Sequence, residues 1–81
     1  MKPNRAVRQT AELVLEAIDI NRPNMLDVDG LKQATGRSKA SIMDAISLLK
    51  MEQRIDTEFD NHGIRRYRLS LYSPADVRRA A

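Results

Sequence analysis

Cysteine is absent from the 81 residues, and His62 is the only histidine. The first absence removes disulfides, thiolate metal sites and thiol nucleophiles together, and the second leaves His62 without a companion for a metal site. No apolar run reaches the ~18 residues that a membrane span needs, and no Asn-x-Ser/Thr acceptor occurs. The opening Met1-Lys2-Pro3-Asn4-Arg5 has basic residues but no apolar segment of secretory type behind them. These absences set the expectation of a cytoplasmic chain with no membrane partner. A nucleophile beside a base, a glycine-rich phosphate loop and a metal-ligand cluster are also missing. Asp27-Val28-Asp29-Gly30 has the look of a calcium loop, but such a loop would start at Met25 and end at Gly36, both wrong for calcium. The expectation is a protein that is not an enzyme, needs no cofactor and, at this length, binds no small-molecule effector.

What is present fits one domain over residues 1–81, with 42% of positions hydrophobic and no internal repeat. A core of this size buries only roughly 60–65% of the surface that the unfolded chain exposes, so a homodimer interface would add stability. The net charge of +3 is laid out in blocks. Lys2, Arg5 and Arg8 open the chain, residues 11–35 are acidic, Arg37, Lys39, Lys50 and Arg54 restore positive charge, and Asp56, Glu58 and Asp60 reverse it. Arg65, Arg66, Arg68, Arg78 and Arg79 then make the end basic. Basic segments that converge in space form the electrostatic footprint of a phosphate-binding face; left apart, they are a salt-bridged surface.

Val7, Ala11, Val14 and Ile18 fall on one stripe of a 3.6-residue period, which predicts a helix over about 5–20 with Asn4 as its N-cap and a stop before Arg22-Pro23. Asn24-Met25-Leu26-Asp27-Val28 has room for one brief extended pairing, and Asp29 offers an N-cap for a short second helix over about 30–34. Gly36 suits a left-handed turn, Ser38 caps a third helix, and Ile42, Ile46 and Leu49, with Ala45 and Leu48 alongside, form a strong stripe to about Gln53. Residues 55–59 and 66–69 alternate around Asn61-His62-Gly63, which predicts a hairpin with a three-residue loop. Its register sets Asp60 opposite Ile64, Glu58 opposite Arg66 and Asp56 opposite Arg68, with these charges on one face and Ile55, Thr57, Tyr67 and Leu69 on the other. Ser73-Pro74-Ala75-Asp76 carries the signature of a short terminal helix over 74–80.

The order helix, short strand, helix, tight turn, helix, hairpin resembles the winged helix-turn-helix family of bacterial and phage transcriptional regulators, from about residue 26 to residue 70. Asp29-Gly30-Leu31-Lys32-Gln33-Ala34-Thr35-Gly36-Arg37-Ser38-Lys39-Ala40-Ser41-Ile42 looks like the family's helix-turn-helix. In that arrangement Leu31 and Ala34 pack the second helix on the third, and Ile42 and Ile46 anchor the third from below. The resemblance implies an α+β, mostly α, winged helix-turn-helix fold: a first helix at about 5–20, a helix-turn-helix at about 29–53, a wing at about 55–70 and a C-terminal segment over 71–81.

The resemblance also implies double-stranded DNA as the partner, read by a small transcriptional regulator acting by site occupancy. Ser38, Lys39, Ser41 and Met43 would be the base-side residues in the major groove, and Arg37, His62, Arg65 and Arg66 the phosphate partners. Two features depart from the family's pattern. Asp44 puts a carboxylate where phosphate would repel it, and Gly30 costs about 1 kcal/mol relative to alanine inside a helix. Met43, Leu15 and Tyr72 read as exposed apolar positions that mark partner packing. The alternative is a protein-interaction module of the same fold, an assembly factor or phage-type inhibitor, in which the arginines are structural and Arg66 and Arg68 pair with Glu58 and Asp56.

Overall fold

The computed structural model describes residues 5–70, so Asn4, Tyr72 and the expected terminal helix over 74–80 lie outside the described residues. The elements in chain order are α1 (Arg5–Ile20), α2 (Val28–Thr35), α3 (Lys39–Met51), β1 (Ile55–Phe59) and β2 (Arg65–Leu69). This is a winged helix-turn-helix arrangement, α+β and mostly helical.

The expected stripes are the faces that turn inward. On α1, Ala11, Val14 and Ile18 are buried together with Thr10 and Ala17. Thr10 sits in this apolar face at little cost, because its hydroxyl donates to the Ala6 carbonyl one turn back at 3.0 Å. On α3, Ile42, Ala45, Ile46, Leu48 and Leu49 are buried, and Leu31 of α2 closes the cluster. Ala34 does not join it: the residue is exposed, and Leu31 is the fully buried residue of α2. Leu15 is half-buried against the core rather than free for a partner.

The start of α2 also differs from expectation. Its N-cap is Asp27, not Asp29, and Asp27 Oδ1 accepts from the Gly30 amide at 2.7 Å. That shift brings Val28 into the helix, where it packs against the core. It also explains Gly30, whose absent Cβ would lie 3.2 Å from both Asp27 Oδ1 and Leu26 Cδ2. The glycine's helix cost is thus offset by room for the cap. At the other end Gly36 adopts φ +70, as expected of a left-handed stop, and Ser38 caps α3.

Helix α3 ends at Met51, two residues short of the expected limit, in a Schellman turn. The Gln53 amide donates to the Lys50 carbonyl at 3.0 Å and the Arg54 amide to the Leu49 carbonyl at 2.9 Å. Gln53 itself takes the left-handed position at φ 59. An ion pair ties this end to α1: Arg8 donates two hydrogen bonds to the Glu52 carboxylate at 3.0 and 2.8 Å. The guanidinium holds the Glu52 carboxyl below its usual range, and the carboxylate raises Arg8.

The strands pair antiparallel in the expected register, Glu58 opposite Arg66 and Asp56 opposite Arg68. The brief pairing expected around Leu26 is real. Leu26 and Tyr67 exchange backbone hydrogen bonds at 3.4 and 2.8 Å, so residues near 26 lie along the free edge of β2. Tyr67, 1% exposed, is the large side chain that fixes the hairpin to the helices.

Candidate nucleic-acid interface

Gly36, Arg37 and Ser38 turn the chain from α2 into α3, and Ser38 Oγ accepts from the Ser41 amide at 3.2 Å. The Ser38 hydroxyl also bonds to that of Ser41 at 3.1 Å, so both predicted base-side hydroxyls are engaged in holding the helix start. This fixes the direction of the first turn. Arg37, Ser38, Lys39 and Ala40 are exposed there, with Asp44 and Ser47 further along the same helix. Met43 is half-buried and packs against the core, contrary to its reading as an exposed apolar position.

The hairpin's turn is organised by one side chain. Asp60 Oδ1 accepts from the amides of His62 at 2.8 Å and Ile64 at 2.9 Å, while Oδ2 accepts from Arg66 Nε at 2.9 Å. The Ile64 amide and then the Arg66 guanidinium, helped to a lesser degree by the His62 amide, hold the Asp60 carboxyl below its ordinary value against the opposing effect of partial burial. Gly63 completes the turn at φ +77. The loop Asn61-His62-Gly63 follows from the sequence pattern, whereas the hold of the Asp60 side chain on it shows only in the folded turn.

The expected Arg68–Asp56 pair forms at the limit of ion-pair distance, and the closer charge pairs fall one step along the diagonal. Arg66 pairs with Asp60 rather than Glu58 and reaches the Met25 carbonyl at 3.4 Å; Arg68 pairs with Glu58 at 2.9 Å and stands 4.0 Å from Asp56. The twist of a two-stranded ribbon favours such diagonal contacts. Arg66 therefore has internal partners, whereas among the described residues Arg37, Lys39 and Arg65 have no ion pair. Arg65 instead lies over the Phe59 ring, its guanidinium carbon 5.5 Å from the centroid. His62 is exposed at the turn.

Lys39 and Arg65, distant in sequence, line one groove of about 450 Å³ between the start of α3 and the hairpin. Met43, Phe59, Ile64 and Tyr67 form its apolar lining, and Asp27 and Asp29 stand on the α2 side. The structure thus brings Lys39, Met43 and Arg65 together, while Arg37 and His62 lie outside the lining. Phe59 is the residue that the motif reading missed. A second groove, of about 480 Å³, lies at the hairpin's base and is lined by Glu12, Glu16 and Asp19 of α1 with Arg54 and Leu69. Its acids make it a poor host for a polyanion. Among the described residues no helix is long and apolar enough to cross a membrane. No protein family, curated protein or solved structure matches the chain.

Proposed function

We propose that the chain binds double-stranded DNA in a sequence-specific manner, as a small regulator that acts by occupying its site, and has no enzymatic activity of its own. The observation that carries this reading is the shared groove, in which Lys39 at the start of α3 and Arg65 on the hairpin present cations without internal ion pairs. Cations left unpaired are available to displace counterions from phosphate. The exposed first turns of α3, with Lys39 and the half-buried edge of Ser41, face base edges in this reading. Arg37, Arg65 and His62 meet the backbone, and Arg66 contributes indirectly by holding Asp60 and the turn. A homodimer sets two copies of α3 about 34–36 Å apart on a roughly palindromic site.

Selection of bound sequences from a random duplex pool tests the reading. Enrichment of a palindrome supports a dimeric reader, and failure to enrich anything, with no binding at low salt, refutes DNA binding. A second reading, a protein-interaction module, is favoured by the exposure of Phe59 and Ile64 and by the carboxylate of Asp44 on the front of α3. It predicts that Lys39→Ala and Arg65→Ala leave binding of the true partner unchanged.

A further inference from the structure

The hairpin's inward face is longer than the core beneath it. Ile55 and Thr57 on β1 alternate to Phe59, and Leu69 and Tyr67 on β2 alternate to Arg65, so the paired Phe59 and Arg65 end the face that carries the core contacts. Ile55 is 3% exposed but Phe59 is 64% exposed. An aromatic ring on the core-directed face is thereby held clear of the helices, at the rim of the groove that Lys39 enters from α3. Arg65, stacked on the ring, keeps its charge at the same rim.

We propose that Phe59 is an apolar contact to one DNA strand, packing against deoxyribose while Lys39 and Arg65 take the flanking phosphates. The inference rests on the DNA-binding reading and adds to it a term that salt does not screen. The chemistry of the lining favours this occupant: a nucleic-acid strand joins anionic phosphate to a largely apolar sugar, and the groove offers Lys39 and Arg65, neither in an ion pair among the described residues, beside an exposed aromatic ring. Of the two carboxylates on the α2 side, Asp27 is engaged as the N-cap of α2. Asp29, exposed in the first turn of α2, opposes phosphate from that side and weakens the complex.

The test is duplex affinity across a range of salt concentrations for the full chain and for Phe59→Ala, Phe59→Leu, Lys39→Ala, Arg65→Ala and Asp29→Asn. Phe59→Ala is expected to weaken binding about tenfold at every salt concentration, the scale of losing much of one aromatic contact, with the slope unchanged. Phe59→Leu restores most of the loss. Lys39→Ala and Arg65→Ala each lower the slope by about one counterion, and Asp29→Asn tightens binding.

Wild-type affinity in Phe59→Ala overturns the proposal while leaving DNA binding intact. A slope reduced by one in that variant also overturns it, since Phe59 then acts only by placing Arg65. If Phe59→Ala abolishes self-association in sedimentation but not binding to a single half-site, the ring is a protein interface and the proposal fails. A wild-type chain that binds no duplex removes the DNA-binding reading and this inference with it. Unchanged circular dichroism and melting of Phe59→Ala show that any loss is not one of folding.

Discussion

The two ends of the hairpin are built from different forces. At the base, Ile55, Tyr67 and Leu69 are set into the helical core, and the Ser70 amide closes the ladder on the Arg54 carbonyl at 2.9 Å. At the tip, Phe59 and Ile64 are exposed, and the shape rests on hydrogen bonds to the Asp60 carboxylate together with the Asp60 amide on the Ile64 carbonyl and the Gly63 amide on the Asp60 carbonyl, each at 3.0 Å. Burial secures one end and polar contacts the other. The difference teaches that the groove-facing end can be altered or loosened without dismantling the fold, which is what a surface that adapts to a ligand requires.

The largest expected effect breaks the base. Leu49→Ala removes a fully buried side chain of the core cluster and should cost about 2–5 kcal/mol, read from the denaturant midpoint at constant slope. Loss of that size would unfold much of a domain this small. Asp60→Ala should act on the tip alone: amide exchange at His62 and Ile64 accelerates, while the amides of α3 keep their protection. If α3 loses protection in parallel, the two ends are not independent.

Acid provides the same test without mutation. Because the folded carboxyl of Asp60 is held below its ordinary value of about 3.9, its contribution is complete above that value and is lost as pH falls through the lower folded one. The turn should therefore hold its exchange protection at neutral pH and lose it only in that acidic window. Glu52, also lowered by its pairing with Arg8, releases the link between α1 and α3 in the same direction.

Smaller effects sharpen the local arguments. Gln53→Gly relieves a side chain at φ 59 and should stabilise by about 0.5–1 kcal/mol, seen as a modest rise in melting temperature. Gly30→Ala should gain less than the roughly 1 kcal/mol of helix propensity, because the new Cβ crowds Asp27 Oδ1 and Leu26. A full gain would show that the Asp27 cap gives way freely.

Most of the architecture was legible because periodicity is imposed by burial. The stripe Ile42, Ile46 and Leu49, the left-handed Gly36, the Ser38 cap and the hairpin register all follow from patterns that few other folds satisfy. Sequence pattern and structure part where two local solutions are nearly equal. Asp27 and Asp29 both precede the α2 stripe, and the choice falls to Asp27 because Val28 gains core contact and Gly30 leaves space. No glycine marks the end of α3, so Gln53 in a left-handed position was invisible. The pairing of Arg8 with Glu52 joins residues 44 positions apart, which no short-range pattern contains.

For the candidate site, sequence supplied the cations but not their company. Lys39 and Arg65 are ordinary basic residues until folding places them on one groove, and Met43 is an ordinary front residue until it packs against the core. Phe59 was readable by alternation as inward-facing. Its exposure depends on how far the hairpin outruns the helices, a property of the assembled fold.

The most direct measurement is the dependence of duplex affinity on salt for the wild-type chain and for the Lys39→Ala/Arg65→Ala double variant. A steep wild-type slope that falls by about two counterions in the double variant is the predicted result. No wild-type binding at low salt, or an identical slope in both proteins, would contradict a phosphate-facing groove.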